Sequence, residues 1–313
     1  MEAPVPEPLA RYVDRFQRLH VATRGEHASP HKPCMLLAVI DLAEAGALEI
    51  NRIDYSPALL ERYTAYFECV GDKTDHANPY FPFFHLRGDR FWRLIAKPGR
   101  EAVLDAMRTA RSHRDISENV DHVELDEDLH RLLCDAQSRE VLRRSLVARW
   151  FGDNARILAP LLEQSRRENL YEHELRDGSK VAEPTLEAVR GSAFRRLVLE
   201  VYDYRCAASG WRLIVPGGTA LVDAAHLIPF SESHNDDPRN GIALTPTFHR
   251  ALDQNLIAPG PDLKWHVSAV FDDRLPENQP LISLRGRTVL LPDTKYRPLT
   301  HALVWRLHNL RTA

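Results

Sequence analysis

The sequence predicts a two-domain α+β protein, on three observations. At 313 residues the chain is longer than one domain of ordinary size and too short for three. Through the first 165 residues apolar positions recur mostly at spacings of three and four, the signature of helices that bury one face. Beyond residue 190 the pattern changes to short apolar runs typical of strands, followed by a short helix opened by a proline.

Helices are expected over Leu9–Leu19, Met35–Leu48 and Leu59–Phe67. Ser29-Pro30-His31-Lys32-Pro33 reads as the entry to the second, because serine can cap, proline suits a first turn, and the apolar run Cys34–Ile40 follows at once. Asn78-Pro79-Tyr80-Phe81-Pro82 interrupts the helical pattern. Phe83–Leu86 and Phe91–Leu94 then suggest a hairpin turning at Gly88-Asp89. From Asn154 to Arg176 the chain reads as a charged helix, and Asp177-Gly178-Ser179 with Glu183-Pro184 marks a joint near residue 180. A helix over Ser192–Tyr204 leads into strands at Leu221–Ile228 and Leu263–Val270, with a helix at Pro246–Asp253. The expected division is residues 1–165, a helical connector over 166–190, and a second domain over 191–313.

Hydrophobic residues make up 44% and charged residues 27%, a balance that excludes a disordered chain and a membrane-spanning one. The N-terminal MEAPVPEPLA lacks the basic-then-apolar layout of a signal peptide, so the expected compartment is the cytoplasm. Cys34, Cys69, Cys134 and Cys206 form no CxxC pair, which argues against a zinc ribbon and against a disulfide framework. The formal charge of -3 hides local concentration. Between Arg87 and Arg114 eight basic residues face three acids, and between Arg139 and Arg167 seven arginines face three acids; either run can neutralise phosphates.

The groups that carry chemistry lie in the second domain. Phosphodiester hydrolysis needs a base for water, positive charge for the developing oxyanion, and a scaffold holding both at one phosphorus. His226 ends an apolar strand in Asp223-Ala224-Ala225-His226-Leu227-Ile228-Pro229, Asn240 sits in Pro238-Arg239-Asn240-Gly241, and His249 lies on the helix opened by Pro246. His249 and Asp253 are four apart on that helix and can address one ion from one face.

These segments, with Tyr202–Gly210 before them, resemble the ββα-metal HNH endonuclease module over about 70 residues. The resemblance implies that His226 is the general base, that Asn240 orients it, and that His249 helps to hold a divalent metal, magnesium, manganese or another first-row ion. Asp253 and Asp223 are the candidate carboxylate ligands. Ala225 departs from the pattern, since many members carry an acid or histidine directly before the base. Asp223, three residues back, falls on the opposite face of a regular strand. Ser209 stands where many relatives have the second cysteine of a structural pair, so no structural zinc is expected.

In the first domain, Ser29–Pro33 before an apolar helix and Asn78–Leu86 followed by Gly88-Asp89 and Trp92 resemble the sulfur-binding domain of phosphorothioate-dependent type IV restriction endonucleases. That domain is typically N-terminal to an HNH module, the order found here. Sulfur in place of a non-bridging phosphate oxygen is larger and more weakly hydrated, so an apolar cup accepts it while oxygen loses hydration without return. The resemblance places Tyr80, Phe81, Pro82 and the stem of His85 in the cup, with His31 and Lys32 as donors to the flanking DNA and Arg24 and Arg87 as further contacts.

The implied protein is a restriction nuclease that reads phosphorothioated double-stranded DNA and cuts nearby by a metal-dependent HNH mechanism. Two alternatives stay open: a reader of another modification such as methylcytosine, and a non-catalytic DNA-binding protein with a degenerate HNH fold. Cutting both strands suggests a homodimer, and no membrane partner is expected.

Overall fold

In the computed structural model the described residues are 7–24, 27–72, 75–152, 154–178, 186–215, 218–292 and 295–312. The chain divides into two compact units, Met1–His173 with Pro216–Thr219, and Glu174–Val215 with Ala220–Ala313. Its architecture is α+β, with helices predominating and strands paired two by two. The expected Ser179 and Glu183-Pro184 joint lies outside the described residues.

The first unit contains α1 (Glu7–Gln17), β1 (Thr23–Arg24), β2 (His27–Ala28), α2 (His31–Glu44), α3 (Pro57–Val70), α4 (Tyr80–His85), β3 (Trp92–Ala96), α5 (Glu101–Ala106), α6 (His113–Asn119), β4 (Val120–Leu125), α7 (Glu127–Cys134) and α8 (Ala136–Trp150). Next comes α9 (Ala155–Asp177), within which the division between units falls. Helix α2 is apolar nearly all round and almost wholly buried, the property of a helix at the centre of a core. Its acids Asp41 and Glu44 survive there because Arg143 of α8 ion-pairs with both, and the Tyr66 hydroxyl of α3 donates to Asp41.

Two local expectations are corrected here. The segment read as the first arm of a hairpin is helix α4, followed by a 3-10 turn at Leu86–Asp89 and Arg90 in the left-handed region at φ 65°. Pro79 and Pro82 fit the opening of a helix, where no intrahelical N–H bond is lost. The second arm forms β3, whose antiparallel partner is the distant β4 in the register Trp92↔Leu125, a pairing that no local pattern reveals. Ser29 does not cap α2: Pro30 holds the N-cap position, and the Ser29 hydroxyl bonds the His31 ring instead.

The second unit continues with α10 (Glu187–Val201), β5 (Asp223–His226), α11 (Phe230–Ser233), β6 (Gly241–Leu244), α12 (Pro246–Asp253), β7 (Ile257–Pro259), β8 (Trp265–Val267), α13 (Gln279–Ile282) and α14 (Thr300–His308). Both strand expectations shorten, to β5 and β8, while the proline-opened helix keeps its expected bounds. Strands β5 and β6 pair antiparallel, Asp223↔Leu244 through His226↔Gly241, and α12 follows at once, giving a ββα unit. Helix α10 packs on both strands. A Cβ on Gly241 would lie 2.4 Å from Val198 Cγ2 and 2.9 Å from Phe194 Cζ, so the approach of α10 to β6 requires glycine there.

Candidate functional site

In the ββα unit, the His226 ring stacks face to face on Phe194 of α10, with centroids 3.9 Å apart and planes 3° from parallel. Its Nε2 lies 2.9 Å from Oδ1 of Asp236, a residue almost completely buried. The other carboxylate oxygen accepts from Arg190 Nη1 at 2.6 Å, and the Arg190 guanidinium lies over the Phe230 ring, 3.4 Å from its centroid. Arg190 and Phe194 are four residues apart on α10 and so share a face.

Asn240 contributes differently from the expectation. Its side chain is turned to main chain: Oδ1 accepts from the Ile228 N–H, and Nδ2 donates to the carbonyls of Ile228 and Asn235. The amide thus ties the two ends of the loop that carries Asp236, and Asp236 is the residue that touches the imidazole. The buried Arg306 of α14 donates to the carbonyls of His226, Leu227 and Leu252 and to Asn255 Oδ1. Burial lowers its pKa to about 10, which leaves it charged at neutral pH.

His249 lies between two carboxylates, with Nδ1 3.6 Å from Asp223 Oδ2 and Nε2 3.4 Å from Asp253 Oδ2. All three side chains are partly exposed. Because the acids face opposite ring nitrogens, one ion bound through one nitrogen meets only one of them in this arrangement. Among the described residues no group of three or more His, Cys, Asp or Glu is disposed to hold a metal. Imidazole nitrogen plus carboxylate oxygen nevertheless suits a divalent ion that keeps several waters. No hydrogen bond or ion pair joins His226 to His249 among the described residues; strand β5 links them, with Asp223 and His226 about 10 Å apart along it. Cys206 is buried, and its sulfur accepts the N–H groups of Ser209 and Thr245.

The first unit carries a cavity of about 630 Å³ lined by His31, Lys32, Phe81, Pro82 and His85, five of the residues expected in the cup and its surroundings. His20, Val21, Ala22, Ser29, Asp75, His76, Asn78 and Gly88 complete the wall. Phe81 is 46% exposed, unusual for a large aromatic ring, and packs on the His85 ring at 4.6 Å. Burial, then the charges of Lys32 and Arg87, hold the His85 pKa below its ordinary value, so the ring is neutral at pH 7.

The expected donors at this wall are engaged internally. His31 Nε2 donates to the His76 carbonyl at 3.0 Å, and Nδ1 sits 2.7 Å from the Ser29 hydroxyl. Lys32 Nζ pairs at 2.6 Å with the buried Asp89, whose second oxygen takes the His20 main-chain N–H and ring. Two expected residues lie away from the cavity. Tyr80 packs edge-on against His113, and Arg87 stacks on Phe84 while donating to the Met107 carbonyl. The side chain of Arg24 is outside the described residues.

Sequence reasoning missed Asp236, Arg190, Phe194 and Arg306. The i, i+4 spacing of Arg190 and Phe194 is the only trace of them in the sequence, and Asp236 has no local feature that separates it from Asp237.

Comparison with known proteins defines the class first. Residues 206–258 match the HNH endonuclease family, so this part of the chain is an HNH endonuclease domain. Residues 9–166, half of the chain, match the family described as ScoMcrA-like, DNA sulfur-binding domain, and the chain belongs to that family. No curated protein matches. Among solved structures it is similar to the sulfur binding domain of SprMcrA complexed with phosphorothioated DNA, at 21% identity over 53% of this chain and 96% of that one, with a TM-score of 0.39. It is also similar to the type IV phosphorothioation-dependent restriction endonuclease ScoMcrA, at 11% identity over 77% and 94%, with a TM-score of 0.34. A third similarity is to the modification dependent TagI restriction endonuclease, at 19% identity and a TM-score of 0.32; the match takes in 44% of this chain and 42% of that protein's length. No described helix is long and apolar enough to cross a membrane.

Proposed function

We propose that this protein recognises phosphorothioated double-stranded DNA through the Phe81–Pro82 cavity and hydrolyses phosphodiester bonds nearby with the ββα unit. The observation that carries the reading is the cavity wall: an exposed aromatic ring, a proline and a neutral imidazole, with the neighbouring donors already paired to protein acceptors. A phosphate oxygen entering there loses its hydration and finds few donors in exchange, while sulfur loses little. Lys32 and His31 act by shaping this wall, and the basic run from Arg87 to Arg114 supplies charge for the DNA backbone.

In the nuclease unit His226 takes a proton from water through Nδ1, the nitrogen not facing Asp236, and the hydroxide attacks the scissile phosphorus. His249 with Asp253 or Asp223 would hold a divalent ion, which would supply positive charge for the departing oxygen. Asn240 keeps the loop between β5 and β6 in register. Cleavage of both strands would draw two copies of the chain together.

The test pairs two measurements. Matched duplexes differing in a single sulfur atom should separate in a gel shift, and His226→Ala should bind the modified duplex like the parent while failing to cut it. Equal affinity for both duplexes would refute the reader; parental cutting by His226→Ala would refute the base.

A further inference from the structure

We infer that Asp236, held by Arg190, is a positioning residue that sets the tautomer of His226. The inference rests on the reading of His226 as the base. A carboxylate accepts hydrogen bonds and cannot donate them, so the 2.9 Å contact to Nε2 requires the proton on that nitrogen. The lone pair of the neutral ring then sits on Nδ1, where it can take a proton from water. Phe194, stacked parallel on one face of the ring, holds its plane, and Asp236 fixes its rotation within that plane.

The surroundings separate Asp236 from the carboxylates near His249. Its side chain is 2% exposed and one oxygen is committed to Arg190, whereas Asp223 and Asp253 are 45% and 55% exposed beside a histidine. Asp236 therefore faces inward, towards the protein's own cation. Asn240 sustains the arrangement by bonding the main chain on both sides of the loop that carries it.

Asp236→Asn tests the inference because the amide has only one acceptor oxygen. Arg190 can only donate, so the oxygen turns to Arg190 and the amide NH₂ faces Nε2. His226 must then accept at Nε2 and carry its proton on Nδ1, the wrong tautomer for a base. In the full-length protein, ¹⁵N imidazole shifts at pH 9 should report Nε2–H for His226 in the parent and Nδ1–H in Asp236→Asn. Cleavage should fall about 100-fold or more in kcat, within the range a positioned general base supplies. The affinity for modified duplex and the manganese concentration needed for half-maximal rate should stay at parental values.

A parental His226 protonated on Nδ1 overturns the inference without any variant. So does Asp236→Asn cutting at the parental rate, or a raised manganese requirement, which would make Asp236 an ion ligand. His226→Ala cutting like the parent would instead defeat the underlying reading and leave the tautomer measurement intact.

Discussion

Arg306 offers a test of how the nuclease unit is held together. Its guanidinium is buried in the second unit and bridges the end of β5, through the carbonyls of His226 and Leu227, to the end of α12, through Leu252. Arg306→Met keeps much of the stem volume and removes every donor. Leu227 O then loses its donor while Leu252 O keeps the Asn255 N–H, so a loss of about 2 kcal/mol is expected before relaxation. For a domain of this size that corresponds to a fall on the order of 10 °C in the melting transition of the second unit. Differential scanning calorimetry on the full chain resolves it. At a temperature where the variant remains folded, cutting should fall about tenfold, equivalent to about 1.4 kcal/mol, because the strand bearing His226 and the helix bearing His249 lose a shared anchor. Binding of modified duplex should be unchanged. A variant melting within about 2 °C of the parent and cutting at its rate would show that these bonds do not organise the site.

Gly241→Ala places a methyl against Val198 and Phe194 and should cost about 1–3 kcal/mol by overpacking, read from the urea midpoint; an unchanged midpoint would show that α10 gives way freely. Phe81→Ser should reduce the preference for sulfur about tenfold in a competition gel shift, with little change in affinity for unmodified duplex. Because the folded-state pKa of His85 is depressed, the unfolded chain takes up the proton first as the pH falls through 6.5. Its contribution to stability is therefore present above that pH and lost below it. Sulfur preference should fall over the same acidic range as charge enters the cup, and His85→Gln should remove that pH dependence. Chelation of divalent ions should abolish cutting while leaving the gel shift of modified duplex unchanged; sustained cutting in chelator would remove the metal from the mechanism.

The elements legible in the sequence are those whose cause is local. The apolar run after Pro33 needs no partner to be recognised as a buried helix, and the proline before His249 fixes where α12 starts. His226, Asn240 and His249 stood out because ordered residue types at set spacings survive any rearrangement of their surroundings. The aromatic-proline segment gave its composition but not its conformation. Phe83 and Phe84 are both wholly buried, which a local pattern reads equally well as strand or helix.

What only the tertiary structure decided is the partner of each of those residues. Strand β3 finds β4 across an intervening pair of helices, and Asn240 turns to main chain and not to the ring it was expected to orient. Asp236 reaches His226 from a loop, and Phe194 and, through Asp236, Arg190 reach it from a helix on which only their i, i+4 spacing hints at a shared face. Hydrogen bonds and ring stacking act over a few ångströms in space, and sequence spacing constrains such distances only within a single helix or strand. The chain's sequence thus determined which groups were available for chemistry, and folding determined which neighbours stand beside the His226 ring and that Phe81 stays exposed.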